Sequence, residues 1–208
     1  AMSEPLQRTE DWRKARAGKI TASRFVDVIA IKRDGAPTAA RAKYMRELAF
    51  ERLSGEPMHE VGGKALTWGT EVEQYAREAF ELETGLIVEP AQFVTHPDYP
   101  FIGCSADGLI GKDGGYESKC PMDESVHIQT WLEGMPRDHM AQVQGCMFVT
   151  GRKWWEFTSY DPRACERLRL YHERIERDEG FIANLEAALL QFEAELQQMV
   201  AELERKSA

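Results

Sequence analysis

An α/β fold is predicted by three features of the chain. Apolar residues recur at helical spacing near both ends and again in the middle. Two groups of short segments rich in β-branched and aromatic residues lie between those helices, and glycine, aspartate or proline stands at most of the junctions. The resulting order is helix, sheet, helix, sheet, helix. With 208 residues, 43% of them hydrophobic, the chain can bury a sizeable core. It contains no internal repeat, low-complexity tract or Pro/Ser-rich linker, so residues 1–208 are read as a single domain. Ala1 ahead of Met2 reads as a remnant of an expression tag and is set aside.

Taken in order, residues 9–17 and 22–30 read as two short helices, with Thr21 as the cap of the second. Longer helices are expected over 38–54 and 66–84, ended by Gly55 and Gly85. Strands are expected at 86–95, 101–106, 108–111 and 115–120, with Gly114-Gly115 as the turn before the last of these. Helical patterns return at 124–133 and 137–150. Two aromatic and aliphatic strands follow, at 154–160 and 168–174, on either side of Asp161-Pro162. From Asp178 to about residue 206, Phe181, Leu185, Ala188, Phe192, Leu196, Met199 and Leu203 form one apolar stripe on a long acidic helix, and that stripe is expected to pack on its own domain.

The chemistry concentrates at Ser105-Ala106-Asp107-Gly108, followed by Glu117-Ser118-Lys119-Cys120-Pro121. In a strand, residues two apart share a face, so Glu117 and Lys119 project together toward Asp107 while Ser118 turns away. Two carboxylates and the Ser118 backbone carbonyl supply hard oxygen ligands for Mg²⁺, and the Lys119 ammonium can orient or help deprotonate an attacking water. That is the outline of a metal-dependent nuclease centre. Acid-x-Lys alone is weak evidence in a chain with 35 acidic and 26 basic residues. Glu204-Arg205-Lys206 is such a copy without meaning, because residues two apart on a helix point in different directions. On spacing alone, a strand-edge ion pair is the equal alternative for residues 107–119.

The formal net charge of −9 is the wrong sign for a protein that coats nucleic acid through its overall field. Basic residues gather instead near the N-terminus: Arg8, Arg13, Lys14, Arg16, Lys19, Arg24, Lys32, Arg33, Arg41, Lys43 and Arg46. Such a distribution suits a DNA channel in an otherwise acidic molecule; the alternative is a helix surface balanced by acids elsewhere. Cys104, Cys120, Cys146 and Cys165 form no C-x-x-C pair and are expected as reduced thiols. His59, His96, His127, His139 and His172 are scattered without metal-site spacing and are expected to be structural or exposed. No apolar run approaches the roughly 20 residues of a membrane span, and the start lacks the pattern of a signal peptide. A cytoplasmic location is the expectation.

Further blocks carry a resemblance. Trp12-Arg13-x-x-Arg16-x-Gly18-x-Ile20-Thr21-Ala22-Ser23, Trp68-Gly69-x-x-x-Glu73, Tyr116-Glu117-x-Lys119-Cys120-Pro121, Met140-Ala141-Gln142-Val143-Gln144 and Asp161-Pro162-Arg163 occur in that order. With the Asp107 turn, they resemble the lambda exonuclease (YqaJ-type viral recombinase) family across roughly residues 7–180. The resemblance implies a restriction-endonuclease-like, PD-(D/E)XK fold with a central mixed sheet flanked by helices. It implies a 5′ to 3′ exonuclease that digests one strand of linear duplex DNA and leaves 3′ overhangs. Mg²⁺ is the implied cofactor, two ions being expected and Mn²⁺ able to substitute. The implied partners are DNA ends, two further copies of the chain in a trimeric ring, and a single-strand annealing protein, all in a bacterial host carrying a phage or prophage.

By position, the resemblance makes Asp107, Glu117 and the Ser118 carbonyl metal ligands and Lys119 the residue acting on water. It gives Glu73 the role of a supporting helix carboxylate, where the residues alone would read a surface glutamate. Gln142 matches a glutamine lining the site, or equally an amide satisfying buried backbone. Arg16 matches an arginine that engages the terminal 5′-phosphate through its planar fork. Ser23 and Ser105 would complete that pocket, though Ser23 also fits as a residue after a capped helix start and Ser105 as a stabiliser of the turn before Asp107. Leu66 matches an apolar wedge between the strands, or plain core packing. Ala106 stands where the family commonly has Ser-Pro-Asp, which leaves the turn less rigid without removing a ligand. The rival readings are a nuclease of the same fold that cuts internally and a catalytically dead DNA clamp.

Overall fold

The structure, a computed structural model, describes residues 9–57 and 64–208, with residues 64–67 described through their backbone alone. Arg8 and His59 lie outside the described residues. Helix α1 (Glu10–Arg16) begins at Thr9, whose hydroxyl accepts the Trp12 amide, a satisfied N-cap. A two-residue strand, β1 (Ile20–Thr21), comes next, where no element was expected. It is too short to carry a periodicity and exists because it pairs in parallel with Ile102 and Gly103. The expected helix 22–30 divides into a 3₁₀ turn (Ala22–Arg24) and α2 (Phe25–Ile29). Thr21 does not cap it: its amide donates to the Tyr44 hydroxyl and its own hydroxyl accepts from Arg16. Helix α3 (Ala39–Ser54) is capped by Thr38 and ends on left-handed Gly55; α4 (Lys64–Thr84) is followed by Gly85 at φ 72°.

The strands form two mixed sheets. In the first, β3 (Ile102–Ser105) lies between β1, parallel to it, and β2 (Phe93–Thr95), antiparallel. The expected strand 86–95 contracts to β2 because Pro90 has no amide to donate, and Glu89 instead makes a lone bridge to Leu109. The second sheet runs β4 (Gly108–Ile110), β5 (Gly114–Lys119), β6 (Trp154–Tyr160), β7 (Leu170–Glu176), with only the β5–β6 pair parallel. Helices α5 (Glu124–Glu133) and α6 (Met140–Thr150) make the crossover between β5 and β6. The chain passes from one sheet to the other at Ala106-Asp107.

Gly114-Gly115 is not the turn between β4 and β5. The turn is Gly111 to Asp113, with Gly111 at φ 52°, and the two glycines open β5. They are needed there because a Cβ on either would fall 2.2 Å from an indole ring, of Trp154 and Trp155 respectively.

Helix α7 (Glu179–Ser207) packs on α2, α3 and α6. Of its stripe, Leu185, Phe192 and Leu196 are buried beside Ile182 and Leu189, Phe181, Ala188 and Met199 are half-buried, and Leu203 emerges at the exposed end. This core also holds Ile20, Phe25, Ile102, Met147 and Trp155, so it covers the three-stranded sheet and one face of the other. The opposite face of β4–β7 packs Tyr116 and Tyr160 against Val72, Ala76 and Phe80 of α4. The second sheet is therefore covered on both faces, and alternate residues of β5 point into different surroundings. Gly115→Ala should lower stability by about 1–3 kcal/mol through overpacking; an unchanged urea midpoint would show that the Trp155 ring has room to shift.

Candidate active site

At the step between the two sheets, Asp107 is half-buried and its Oδ2 accepts the backbone amide of Ser118 at 2.9 Å. Strand alternation then separates the β5 side chains. The hydroxyl of Ser118 lies 3.8 Å from the Cys120 sulfur, on the side of Tyr116 and α4. Glu117 and Lys119 take the other face, toward α6, where Lys119 Nζ donates to Glu117 Oε1 at 2.5 Å. Gln142 joins them: its Nε2 donates to Glu117 Oε1 at 2.8 Å and its Oε1 accepts from Lys119 at 3.2 Å. The amide is thus held in one orientation by an acceptor and a donor of opposite charge.

Glu117 is only 2% exposed, and its second oxygen, Oε2, is buried without a hydrogen-bond partner. Burial, with the Asp107 charge added to it, raises its carboxyl above the ordinary range; Lys119 opposes this rise and Glu73 on α4 adds to it. For Lys119, burial pulls downward, but the charges of Glu117 and Asp107 outweigh it and hold the ammonium above its usual value. The electrostatics therefore count Asp107, Glu117 and Glu73 against one lysine. A buried oxygen without a donor in a field with excess negative charge fits a divalent cation. Among the described residues no three His, Cys, Asp or Glu side chains are grouped to hold a metal ion by themselves. The donors that could do so are the Asp107 and Glu117 carboxylates and the Ser118 carbonyl, with water completing the shell, in keeping with the reluctance of Mg²⁺ to shed its hydration.

A second cluster adjoins the first through β3. The indole Nε1 of Trp12 donates to Ser105 Oγ at 2.8 Å, two residues before Asp107. The Arg16 guanidinium lies over the Trp12 ring, 4.2 Å from its centroid, and Nη2 donates to the Thr21 hydroxyl at 3.4 Å. Arg16 and Ser105 are thereby brought into one neighbourhood through Trp12. Ser23 is exposed on the 3₁₀ turn, with no hydrogen bond to Arg16 among the described residues. Leu66 falls in the first turn of α4, and its side chain lies outside the described residues. Glu73 is half-buried, whereas Glu71 is exposed.

Three contributors escape sequence reasoning. Trp12 and Thr21 appear in the quoted block, but nothing in the sequence shows that they hold Arg16 and Ser105. His139 sits at the start of α6, stacked on Phe157 at 5.5 Å; burial, and then the neighbouring Lys119 charge, lower its pKa to about 4. Position three before Gln142 was the available signal. Several of the basic N-terminal residues are paired with carboxylates. Arg24 pairs with Asp27 and Glu47, Arg41 with Glu195, Lys14 with Glu10 and Lys43 with Glu47. Arg16 and Lys19 have hydroxyls, of Thr21 and Thr95, in place of carboxylates, and burial lowers the pKa of each.

The YqaJ-like viral recombinase domain model matches residues 11–153, a span that contains both clusters. The chain belongs to that family. Its fold is also similar to two solved structures of an alkaline exonuclease, LHK-Exo from Laribacter hongkongensis. Identity is 40%, the match covers 96% of this chain and 98% of that one, and the TM-scores are 0.87 and, for the complex with dAMP, 0.88. A phage related exonuclease from Haemophilus somnus 129PT, 17% identical, shares the fold with a TM-score of 0.70 over 89% of this chain and 96% of that one. An uncharacterized protein, ExoD, of Escherichia coli (strain K12) is 35% identical over 72 residues, which are 35% of this chain and 82% of that protein. The mixed sheets flanked by helices are those of the YqaJ and alkaline exonuclease type of nuclease. No described helix is long and apolar enough to cross a membrane.

If the lone Oε2 of Glu117 belongs to a metal site, Mg²⁺ should raise the melting temperature of the wild-type protein and leave Glu117→Gln unmoved. Equal stabilisation of both proteins in a thermal scan would remove Glu117 from the ligand set.

Proposed function

We propose that the protein is a Mg²⁺-dependent exonuclease that digests the 5′-ended strand of linear double-stranded DNA and leaves a 3′ single-stranded overhang. The observation that carries this reading is the adjacency of the two clusters. The carboxylate, lysine and glutamine group and the arginine pocket are joined by Trp12 and by the three-residue step from Ser105 to Asp107. A terminal phosphate held at Arg16 would lie beside the cleavage centre, which suits removal of nucleotides from an end. The name of LHK-Exo as an alkaline exonuclease, and its structure with the deoxynucleotide dAMP, support the same reading.

In this reading Asp107, Glu117 and the Ser118 carbonyl hold the metal, and Glu73 supports the site from α4. The bound ion would supply Lewis-acid polarisation of the phosphate and a water of lowered pKa. Lys119, fixed by Glu117 and Gln142, orients the attacking water and meets developing negative charge with its ammonium. Arg16 grips the terminal phosphate by its fork, with Ser105 and Ser23 at the margins of the pocket. Leu66 is the wedge that parts the terminal base pair.

A chain of net charge −9, with four of its N-terminal bases paired to carboxylates, needs more than attraction to stay on DNA. A closed ring of three copies would provide enclosure, and the overhang would pass to a single-strand annealing protein for recombination in the cytoplasm of a bacterial host.

Linear duplex should be degraded with Mg²⁺ and spared with EDTA, while covalently closed circles of the same sequence stay intact; loss of circles would identify an internal cutter. Lys119→Ala should reduce turnover at least about a hundredfold with DNA binding and folding retained, since it removes transition-state charge without removing a ligand. Light scattering should give three times the chain mass, and a strictly monomeric species that digests long duplexes without dissociating would overturn the ring.

A further inference from the structure

Two residues after Arg16, the chain turns at Gly18, whose φ of 70° favours glycine. That turn is gripped from both sides. The Gly18 amide donates to Glu51 Oε2 at 2.8 Å, and its carbonyl accepts from Arg52 Nε at 2.8 Å. A Cβ at this position would fall 2.9 Å from Arg52 Cγ, so the backbone lies directly against the arginine stem. The far end of Arg52 forks onto Glu193 of α7, Nη1 to Oε1 at 2.9 Å and Nη2 to Oε2 at 2.6 Å. Glu193, 6% exposed, is oriented in turn by Gln197 at 2.8 Å. The same turn is closed by the Lys19 amide on the Arg16 carbonyl, and the next strand is held where the Tyr44 hydroxyl accepts the Thr21 amide.

An ion pair buried at its carboxylate end is a poor device for stability alone, because apolar residues of the same volume often do as well or better, and its better-attested use is to set geometry. Here the pair ends on the backbone beside Arg16. We propose that Arg52 and Glu193 are positioning residues for Arg16, forming a clamp from α7 through α3 to the Gly18 turn that sets where the guanidinium meets a DNA end. The inference rests on the proposed reading of Arg16 as the group that contacts the terminal 5′-phosphate.

The test uses full-length protein and two linear duplexes identical except for a 5′-phosphate or a 5′-hydroxyl, at a temperature where circular dichroism shows each variant folded. Glu193→Gln and Arg52→Lys should each reduce the preference for the phosphorylated end about tenfold, the loss appearing in kcat/KM for that substrate, because a small misplacement of a binding group is costly. Digestion of the 5′-hydroxyl duplex should stay within about twofold of wild type. Glu195→Gln is the comparison: it breaks the neighbouring α3–α7 ion pair with Arg41, which does not reach Gly18, and should leave the preference unchanged. Parallel losses on both duplexes, or the same change in Glu195→Gln, would make the clamp merely structural and overturn the proposal. Arg16→Ala separates the two layers. If it abolishes the preference while both clamp variants keep it, the clamp alone is wrong; if it keeps the preference, the phosphate reading and the clamp fall together. Arg52→Lys, which retains the charge and loses the fork, carries the test if Glu193→Gln does not fold.

Discussion

Glu117 is carried into the interior on β5, a strand paired on both sides, where an ionised carboxylate cannot keep its water. One of its oxygens is satisfied by the ammonium of Lys119 and the amide of Gln142; the other has no donor. Much of the surrounding architecture follows from this one costly group. The β5–α5–α6–β6 crossover brings Gln142 over the face that Glu117 and Lys119 share. The break between sheets at Ala106-Asp107 lets a second carboxylate reach the Ser118 amide instead of continuing the ladder. A site that is unfavourable as a set of bare protein charges is one that a bound cation would relieve.

The distribution of charge carries a related lesson. A basic N-terminal third beside an acidic remainder suggests a positively charged DNA surface, yet four of those cations, Lys14, Arg24, Arg41 and Lys43, are spent on carboxylates of α1, α2, α3 and α7. Arg41 with Glu195 and Arg52 with Glu193 stitch α3 to the C-terminal helix. What remains near the centre is local: Arg16 over Trp12 and Lys19 against Phe93, both partnered by hydroxyls. Partly desolvated cations without carboxylates attract phosphate more strongly than a larger number of paired ones at the surface.

Helix α7 belongs to both halves of this account. Its apolar stripe completes the core under the three-stranded sheet, while Glu193 on the same helix connects to the turn beside Arg16. The two roles are compatible because the stripe covers only part of the helix circumference, which leaves Glu193 and Glu195 free to meet arginines of α3.

The order of elements, most of their boundaries and the pairing of Asp107 with Glu117 and Lys119 are local properties. They depend on periodicities of two and 3.6, on caps such as Thr9, Thr38 and Asp178 and on left-handed glycines, all of which are written in consecutive residues. The exceptions share a cause. Strand β1 exists only because β3 lies alongside, Gly114-Gly115 looks like a turn until the Trp154 and Trp155 rings are seen to occupy the space of their side chains, and Thr21 looks like a cap until Arg16 and Tyr44 claim it. The link from Trp12 to Ser105 spans 93 positions and that from Arg52 to Glu193 spans 141. Sequence alone determined which segments fold and which residue types could do chemistry; the tertiary structure decided which of them meet, because contacts between distant segments are set by packing that no local pattern encodes.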